Sequence, residues 1–311
     1  MVTRDGGLHG ARCRCYHQTL DTLHKVSKKW VNWIGNHYQE VLAAQHGHLK
    51  KVDEFDPIME GDHQLEKPED VIVIACEQGK HMVLLDKDID ARVVLFDWTG
   101  KGVIPEDNPK NFEVISYSTE CKGHLMHHAW KKLGNPSLWS YMAFIDDDVM
   151  FSMSSIEQLL HLAHIHKLTA CQPAISHFSS IDPLYGHLKW RAGVTHHRVP
   201  MIEIMAPFIR GDLLKNAMPF MQGIRSGYGF DRYVLPLVAD AMKQWRFACC
   251  DLTPMNHTRK LQSPGMRFKN QMSPHDEEQL MRMRCFKQIG QDCYDKEYYA
   301  MYQSRAAMNQ Y

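Results

Sequence analysis

The sequence predicts an α/β fold, a mostly parallel sheet flanked by helices and preceded by a helical N-terminal extension. Three observations carry this. Short apolar runs at Val71–Ala75, Ala91–Phe96 and Phe112–Ser116 each stop at polar residues. A fourth run, Tyr141–Ile145, stops at three acids, Asp146, Asp147 and Asp148, before apolar residues resume. Helical stretches such as Lys122–Lys132 alternate with the runs. Strand-length apolar runs separated by helical segments fit strands buried on both faces, with ligands at their C-terminal edge.

Bulk properties set outer limits. A chain of 311 residues can bury a full core. Its formal net charge is zero, so no global field draws it to nucleic acid. No apolar run is long enough to span a membrane, and Met1–Leu20 has no apolar h-region. Nine cysteines at irregular spacing, with no secretion signal, fit reduced thiols in a cytoplasmic or nuclear protein. His9, Cys13, Cys15 and His17 match no common zinc spacing.

Residues 1–65 read as a helical extension. Leu20, Leu23, Val26, Trp30, Ile34, Tyr38 and Val41 form one apolar stripe. Lys25, Lys28 and Lys29 lie off it, either as a solvated face or as a contact for a phosphate backbone. The acidic stretch 53–70 reads as a linker. Residues 66–260 then form the main domain, and 261–311 a helical tail packed on it.

Within the main domain, the strand ends at Ala75 and Phe96 should flank the acids, with Ala75 and Cys76 as candidate donor contacts. Asp97, at the end of the second run, is a candidate ribose or base contact, with an ordinary turn aspartate as the alternative. On an extended chain Asp146 and Asp148 would face one way and Asp147 the other. Two carboxylates of one aim can hold a hard divalent ion, which in turn holds phosphate oxygens. Ser154–Lys167 suits a helix capped by Ser154 or Ser155. Residues 176–200 read as a loop rich in histidine, with Lys189, Arg191 and Arg198, placed to line an acceptor. Glu203, an acid inside the apolar stretch Pro200–Phe208, needs a function or a partner. Asp231 follows a glycine-rich turn, Ser226–Phe230, and opens a helix, where the helix dipole should keep its pKa low. Trp245–Leu252 reads as a last strand, with His257 just beyond it as a possible third metal ligand.

An apolar strand into Asp146-Asp147-Asp148, a glycine-rich turn into Asp231 and a late His257 together resemble nucleotide-sugar glycosyltransferases of the GT-A fold. Their order and spacing are similar to the Fringe-like branch. Ile202–Pro207 and Ser226–Asp231 also resemble a family of GT-A-like proteins of plants and bacteria. A further likeness is to the glucosyltransferases that modify hydroxymethyluracil in DNA, the base J type. The likeness covers residues 70–260, leaving the N-terminal helix and the 176–200 loop as departures.

This resemblance implies Mn2+ or Mg2+ held by Asp146, Asp148 and His257, bridging the diphosphate of a UDP-sugar. It implies Asp147 near the ribose or sugar and Asp231 as base, with Glu203 second. If the reaction retains configuration, Asp231 becomes an acceptor or sugar ligand instead. The implied reaction moves glucose from UDP-glucose to a hydroxyl, with 5-hydroxymethyluracil in double-stranded DNA as one acceptor. The basic face for DNA would draw on Lys25, Lys28, Lys29, Lys189, Arg191, Arg198, Arg259 and Lys260. The alternatives are transfer to a glycan or small molecule, a silent nucleic-acid-binding module on the same scaffold, and a phosphoryl- or nucleotidyl-transfer enzyme using two metals.

Overall fold

The structure, a computed structural model, describes residues 69–102, 112–134, 140–179, 183–259 and 266–289. The expected N-terminal helix, the His9–His17 grouping, Lys260 and the polar end beyond Ile289 lie outside them.

Among the described residues one mixed sheet organises the chain, in the order β2-β6-β10-β7-β9-β5-β1-β3-β4, with β8 paired to β10. Its strands are β1 (Val71–Cys76), β2 (Val83–Leu84), β3 (Arg92–Asp97), β4 (Glu113–Ser116), β5 (Tyr141–Ile145), β6 (Val149–Ser152), β7 (Ala170–Ile175), β8 (His197–Arg198), β9 (Phe208–Arg210) and β10 (Phe247–His257). The helices are α1 (Lys122–Leu133), α2 (Met153–Ile165), α3 (Gly211–Ala217), α4 (Leu235–Ala241) and α5 (Pro274–Ile289).

The expected α/β architecture is present, with a parallel half. β1 lies parallel between β3 and β5, and β3 is parallel to β4. All six residues of β1 and all five of β5 are buried, which is why both read as unbroken apolar runs. Beyond β5 the sheet turns mixed, because β9 runs antiparallel to both β5 and β7. Since β1 has β3 on one side and β5 on the other, the chain leaves the C-terminal ends of β1 and β5 in different directions. That is the switch point where α/β sheets open a crevice.

Several expectations change in detail. The three acids are not on a strand. They form a tight turn between β5 and β6, closed by Val149 N–H donating to Asp146 O at 3.2 Å. Side-chain alternation therefore does not apply to them. Pro200–Phe208 is not a strand either, since β9 begins at Phe208 and Glu203 sits in the irregular segment before it. The last strand is longer than expected and runs through to His257, which places Asp251 in mid-strand.

α2 is capped by Ser152, one turn earlier than Ser155. Ser152 Oγ accepts from Ser155 N–H at 3.1 Å and satisfies an amide that has no partner within the helix. Ser152→Ala should lower stability by about 1 kcal/mol. Chemical denaturation would show it as a shifted midpoint at unchanged slope, and an unchanged midpoint would refute it.

Two glycines bring α1 against the Ser226–Gly229 turn. A Cβ on Gly123 would lie 2.4 Å from the Gly227 nitrogen. Gly227 itself has φ +83°, a left-handed conformation that favours glycine. The contact is closed by Gly123 N–H to Ser226 O at 3.3 Å and His124 N–H to Arg225 O at 2.9 Å. α5 braces the same turn from the other side. Its Glu277 carboxylate accepts from the Arg225 and Ser226 amides and from the Ser226 hydroxyl.

Candidate active site

These contacts leave a cleft of about 720 Å³ above the ends of β1 and β5. Ala75, Asp146, Asp147, Asp148, Glu203, Asp231 and His257, all singled out from the sequence, line it. Cys76 and Asp97 do not.

Asp97 is fully buried, and its carboxylate is spent on protein donors. Oδ1 accepts from the amides of Gln78 and Thr99 and from the Thr99 hydroxyl. Oδ2 accepts from the Gly102 amide and the Ser116 hydroxyl. Burial opposes ionisation, but these bonds outweigh it, with the Thr99 hydroxyl leading, and hold the pKa at about 2. Those contacts are those of a turn aspartate. The Cys76 thiol is buried and pushed up to about 11, chiefly by desolvation, so it is not a reactive thiolate.

At the β5 end, each of the three acids has a different partner. Asp146 faces Lys122, the first residue of α1, whose Nζ donates to Asp146 Oδ1 at 2.5 Å and to Phe144 O at 2.8 Å. Burial pushes Asp146 up to about 6 even though Lys122 pulls the other way. Asp147 accepts from the Trp98 indole at 3.2 Å and from Arg259 at 3.3 and 3.4 Å. Asp148 Oδ2 lies 3.3 Å from His257 Nε2 and 3.8 Å from Arg259 Nε. Burial works against an ionised Asp148, but His257, then Arg259, outweigh it and keep its pKa below the usual carboxylate value.

Among the described residues, no three His, Cys, Asp or Glu side chains form a ready-made metal cage. Asp148 and His257 are nonetheless a carboxylate and an imidazole facing each other on the cleft wall. A divalent ion is commonly held by one or two protein ligands, with substrate phosphates and waters completing its shell. The Asp148–His257 pair fits that donor set, whereas Asp146 is engaged by Lys122.

The cleft holds two further acids, Asp231, which is buried, and Glu203, which is half-buried. Asp231 is 3% exposed. Its Oδ2 accepts from the Tyr185 hydroxyl at 2.8 Å and its Oδ1 from the Arg232 amide at 2.9 Å. Asp231 is the second residue of a π-turn, Phe230–Val234, ahead of α4. The expected low pKa does not hold. Desolvation is the larger influence and raises it, with Tyr185 and Arg232 pulling it back. Glu203 is raised to about 8, first by burial and then by the charge of Asp231. Two acids near one another do not both ionise readily, and at neutral pH Glu203 is mostly protonated.

Sequence reasoning missed Lys122, Trp98, Tyr185 and Arg232, and it expected the tail helix α5 only as a cover; all line the cleft through at least one residue. Lys122 had a signal. It opens a helix directly after a strand, where side chains face the crevice. The tail's helix was expected to pack on the domain, but nothing in its sequence pointed to the cleft, where Pro274, His275 and Glu278 of α5 form part of the wall. The loop 176–200 contributes Tyr185, while its Lys189, Arg191 and Arg198 lie off the lining.

No family model matches the chain, and no curated protein matches it. Among solved structures, S. aureus TarS residues 1–349 in complex with UDP-GlcNAc aligns over 78% of this chain and 72% of that one, at 14% identity and a TM-score of 0.49. GalNAc-T7 with UDP, GalNAc and Mn2+ aligns over 78% of this chain at 10% identity and a TM-score of 0.46. The chain spans about half the length of that second protein, 52%.

Proposed function

We propose that this chain is a nucleotide-sugar glycosyltransferase of GT-A type, moving a sugar, glucose from UDP-glucose, to an acceptor hydroxyl. The observation that carries the reading is what a single cleft brings together. A carboxylate–imidazole pair, Asp148 and His257, and a buried carboxylate, Asp231, line the same cleft.

Asp148 and His257 would hold Mn2+ or Mg2+, and Asp146, fixed by Lys122, would face the donor beside them. The ion, when bound, neutralises the charge that builds on the departing diphosphate. Arg259, half-exposed beside Asp147 and Asp148, adds a positive charge for the same phosphates. Trp98 and Asp147 form the wall nearest Ala75, where the nucleoside would lie. Asp231 accepts the proton of the attacking hydroxyl if the transfer inverts. In a retaining transfer it binds the acceptor or sugar instead.

5-Hydroxymethyluracil in DNA remains the acceptor to test against. Carboxylates outnumber lysine and arginine on the cleft lining. A polyanionic strand would meet repulsion there, which favours an acceptor without a phosphate backbone. Among the described residues no helix is long and apolar enough to cross a membrane.

Thermal shift tests the donor half of the reading. Mn2+ and UDP-glucose together should raise the melting temperature, and Asp148→Ala should abolish the part that needs the metal. A panel of nucleotide sugars that leaves the wild-type melting curve unmoved, with and without Mn2+, would sink it. A mass assay on plain DNA, hydroxymethylated DNA and neutral saccharides then identifies the acceptor.

A further inference from the structure

Outside the cleft, β10 and β8 enclose a histidine–aspartate pair that the proposed reaction does not use. His197 and Asp251 are 6% and 2% exposed, and His197 Nδ1 lies 2.6 Å from Asp251 Oδ2. On the other side of the ring, His197 Nε2 lies 2.8 Å from the carbonyl of His187. A carbonyl only accepts, so Nε2 carries a hydrogen and donates it there. A buried pair of this kind gains little net stability, because desolvating its charges offsets their attraction. What it does fix is position.

The position fixed is that of the 3₁₀ turn Pro183–Leu188, which carries Tyr185. His187 O is held by His197, and Leu188 O accepts from the Cys249 thiol at 3.3 Å. Just beyond the turn, the Trp190 indole donates to Asp251 O at 3.0 Å, and the Arg191 amide to Asp251 Oδ1 at 2.6 Å. The turn kinks at Tyr185, at φ −94° and ψ 18°, and the Tyr185 hydroxyl donates to Asp231 Oδ2. A continuous chain of contacts therefore runs from mid-β10, through His197 and the turn, to the buried acid of the cleft.

We infer that Tyr185 is a positioning residue that aims the Asp231 carboxylate at the acceptor hydroxyl, and that the His197–Asp251 pair acts through it by clamping its turn. This rests on the glycosyl-transfer reading and deepens it. Asp231 is faced by Tyr185 from the turn, by Glu203 from the segment before β9, and by Arg232 from its own π-turn. Tyr228, a neutral phenol whose ionisation Asp231 opposes, faces it from the glycine-rich turn, and Glu278 of α5 ties up Arg232 at 2.7 Å. Of these, Tyr185 brings a neutral hydroxyl donor onto Oδ2. Its bond favours the ionised form of Asp231 and leaves the second lone pair of that oxygen for the acceptor.

The test is steady-state kinetics on the full chain with UDP-glucose and the acceptor found by mass assay. Tyr185→Phe keeps the ring packing. It should lower kcat by about ten- to a hundredfold, the usual cost of losing a supporting partner, with KM for UDP-glucose within about twofold. The acidic limb of its pH–rate profile should move to higher pH, because Asp231 then loses a donor that holds its pKa down. His197→Gln should lower kcat less, and should add nothing further in the Tyr185→Phe background. Unchanged kcat and an unmoved limb in Tyr185→Phe would overturn the role of Tyr185. Equal losses from His197→Gln in both backgrounds would overturn the clamp. A wild-type chain that turns over no nucleotide sugar overturns the transferase reading itself, and this inference with it.

Discussion

Asp231→Asn should abolish most turnover while leaving the protein folded and able to bind its donor. The expected loss in kcat is on the order of a hundred- to ten-thousandfold, the range that a positioned general base contributes. The amide is nearly isosteric, and its carbonyl can still accept from the Tyr185 hydroxyl; only the Arg232 amide loses its acceptor, a cost of about 1–3 kcal/mol that leaves the domain folded. What it cannot do is take a proton. The sign of the pH dependence follows from burial. Asp231 sits above its ordinary pKa, so the rate should rise with pH through that raised value, later than an exposed carboxylate would give. Glu203→Gln is the control. At neutral pH Glu203 is already mostly neutral, raised to about 8, and glutamine imitates that form. It should therefore cost far less than Asp231→Asn. The reverse ranking would move the base to Glu203. A large rise in acceptor KM with kcat preserved in Asp231→Asn would instead make Asp231 a binding residue, as a retaining transfer requires.

The parallel half of this fold was legible because burial on both faces leaves an unbroken apolar run. β1 and β5 announce themselves that way. The antiparallel half was not, because its pieces are short or irregular. β9 is three residues and β8 two, and their pairing is set by distant partners rather than by any local period. The site divides along the same line. Asp146, Asp147 and Asp148 stood out because three acids interrupt an apolar run. Their individual roles did not, because a tight turn decides which partner each one meets. Lys122, Trp98 and Arg259 choose among them through tertiary contacts. Asp231 was singled out, but its pKa was placed in the wrong direction. Position at a helix start argued for a low value, and burial, which no local pattern reports, reversed it. Tyr185 was invisible for a further reason. Its function depends on a clamp assembled from β8 and β10, whose Asp251 lies 66 residues beyond Tyr185 in sequence.

Asp97 separates a structural aspartate from a substrate contact, and its replacement should be the most damaging to stability. Five donors converge on a carboxylate with no exposed surface. Asp97→Ala would leave amides and hydroxyls unpaired at the end of β3, each costing about 1–3 kcal/mol unless water reaches it. A total loss of about 3 kcal/mol or more is expected, a large share of the roughly 5–15 kcal/mol that holds a domain folded. Asp97→Asn should not rescue it, because both oxygens face donors and an amide nitrogen cannot accept. The same bonds make this turn acid-sensitive. With the folded-state pKa at about 2 and the unfolded value near 3.8, the stabilisation is complete above the higher value. It is lost as pH falls from there toward 2, and amounts to about 2 kcal/mol. Denaturation midpoints for the wild type and both variants, read from pH 7 down to pH 2, check each part. The variants should lie well below wild type at pH 7, and the gap should narrow in acid. If Asp97→Asn instead melts with the wild type and raises only the KM for UDP-glucose, Asp97 belongs to the nucleotide and not to the turn.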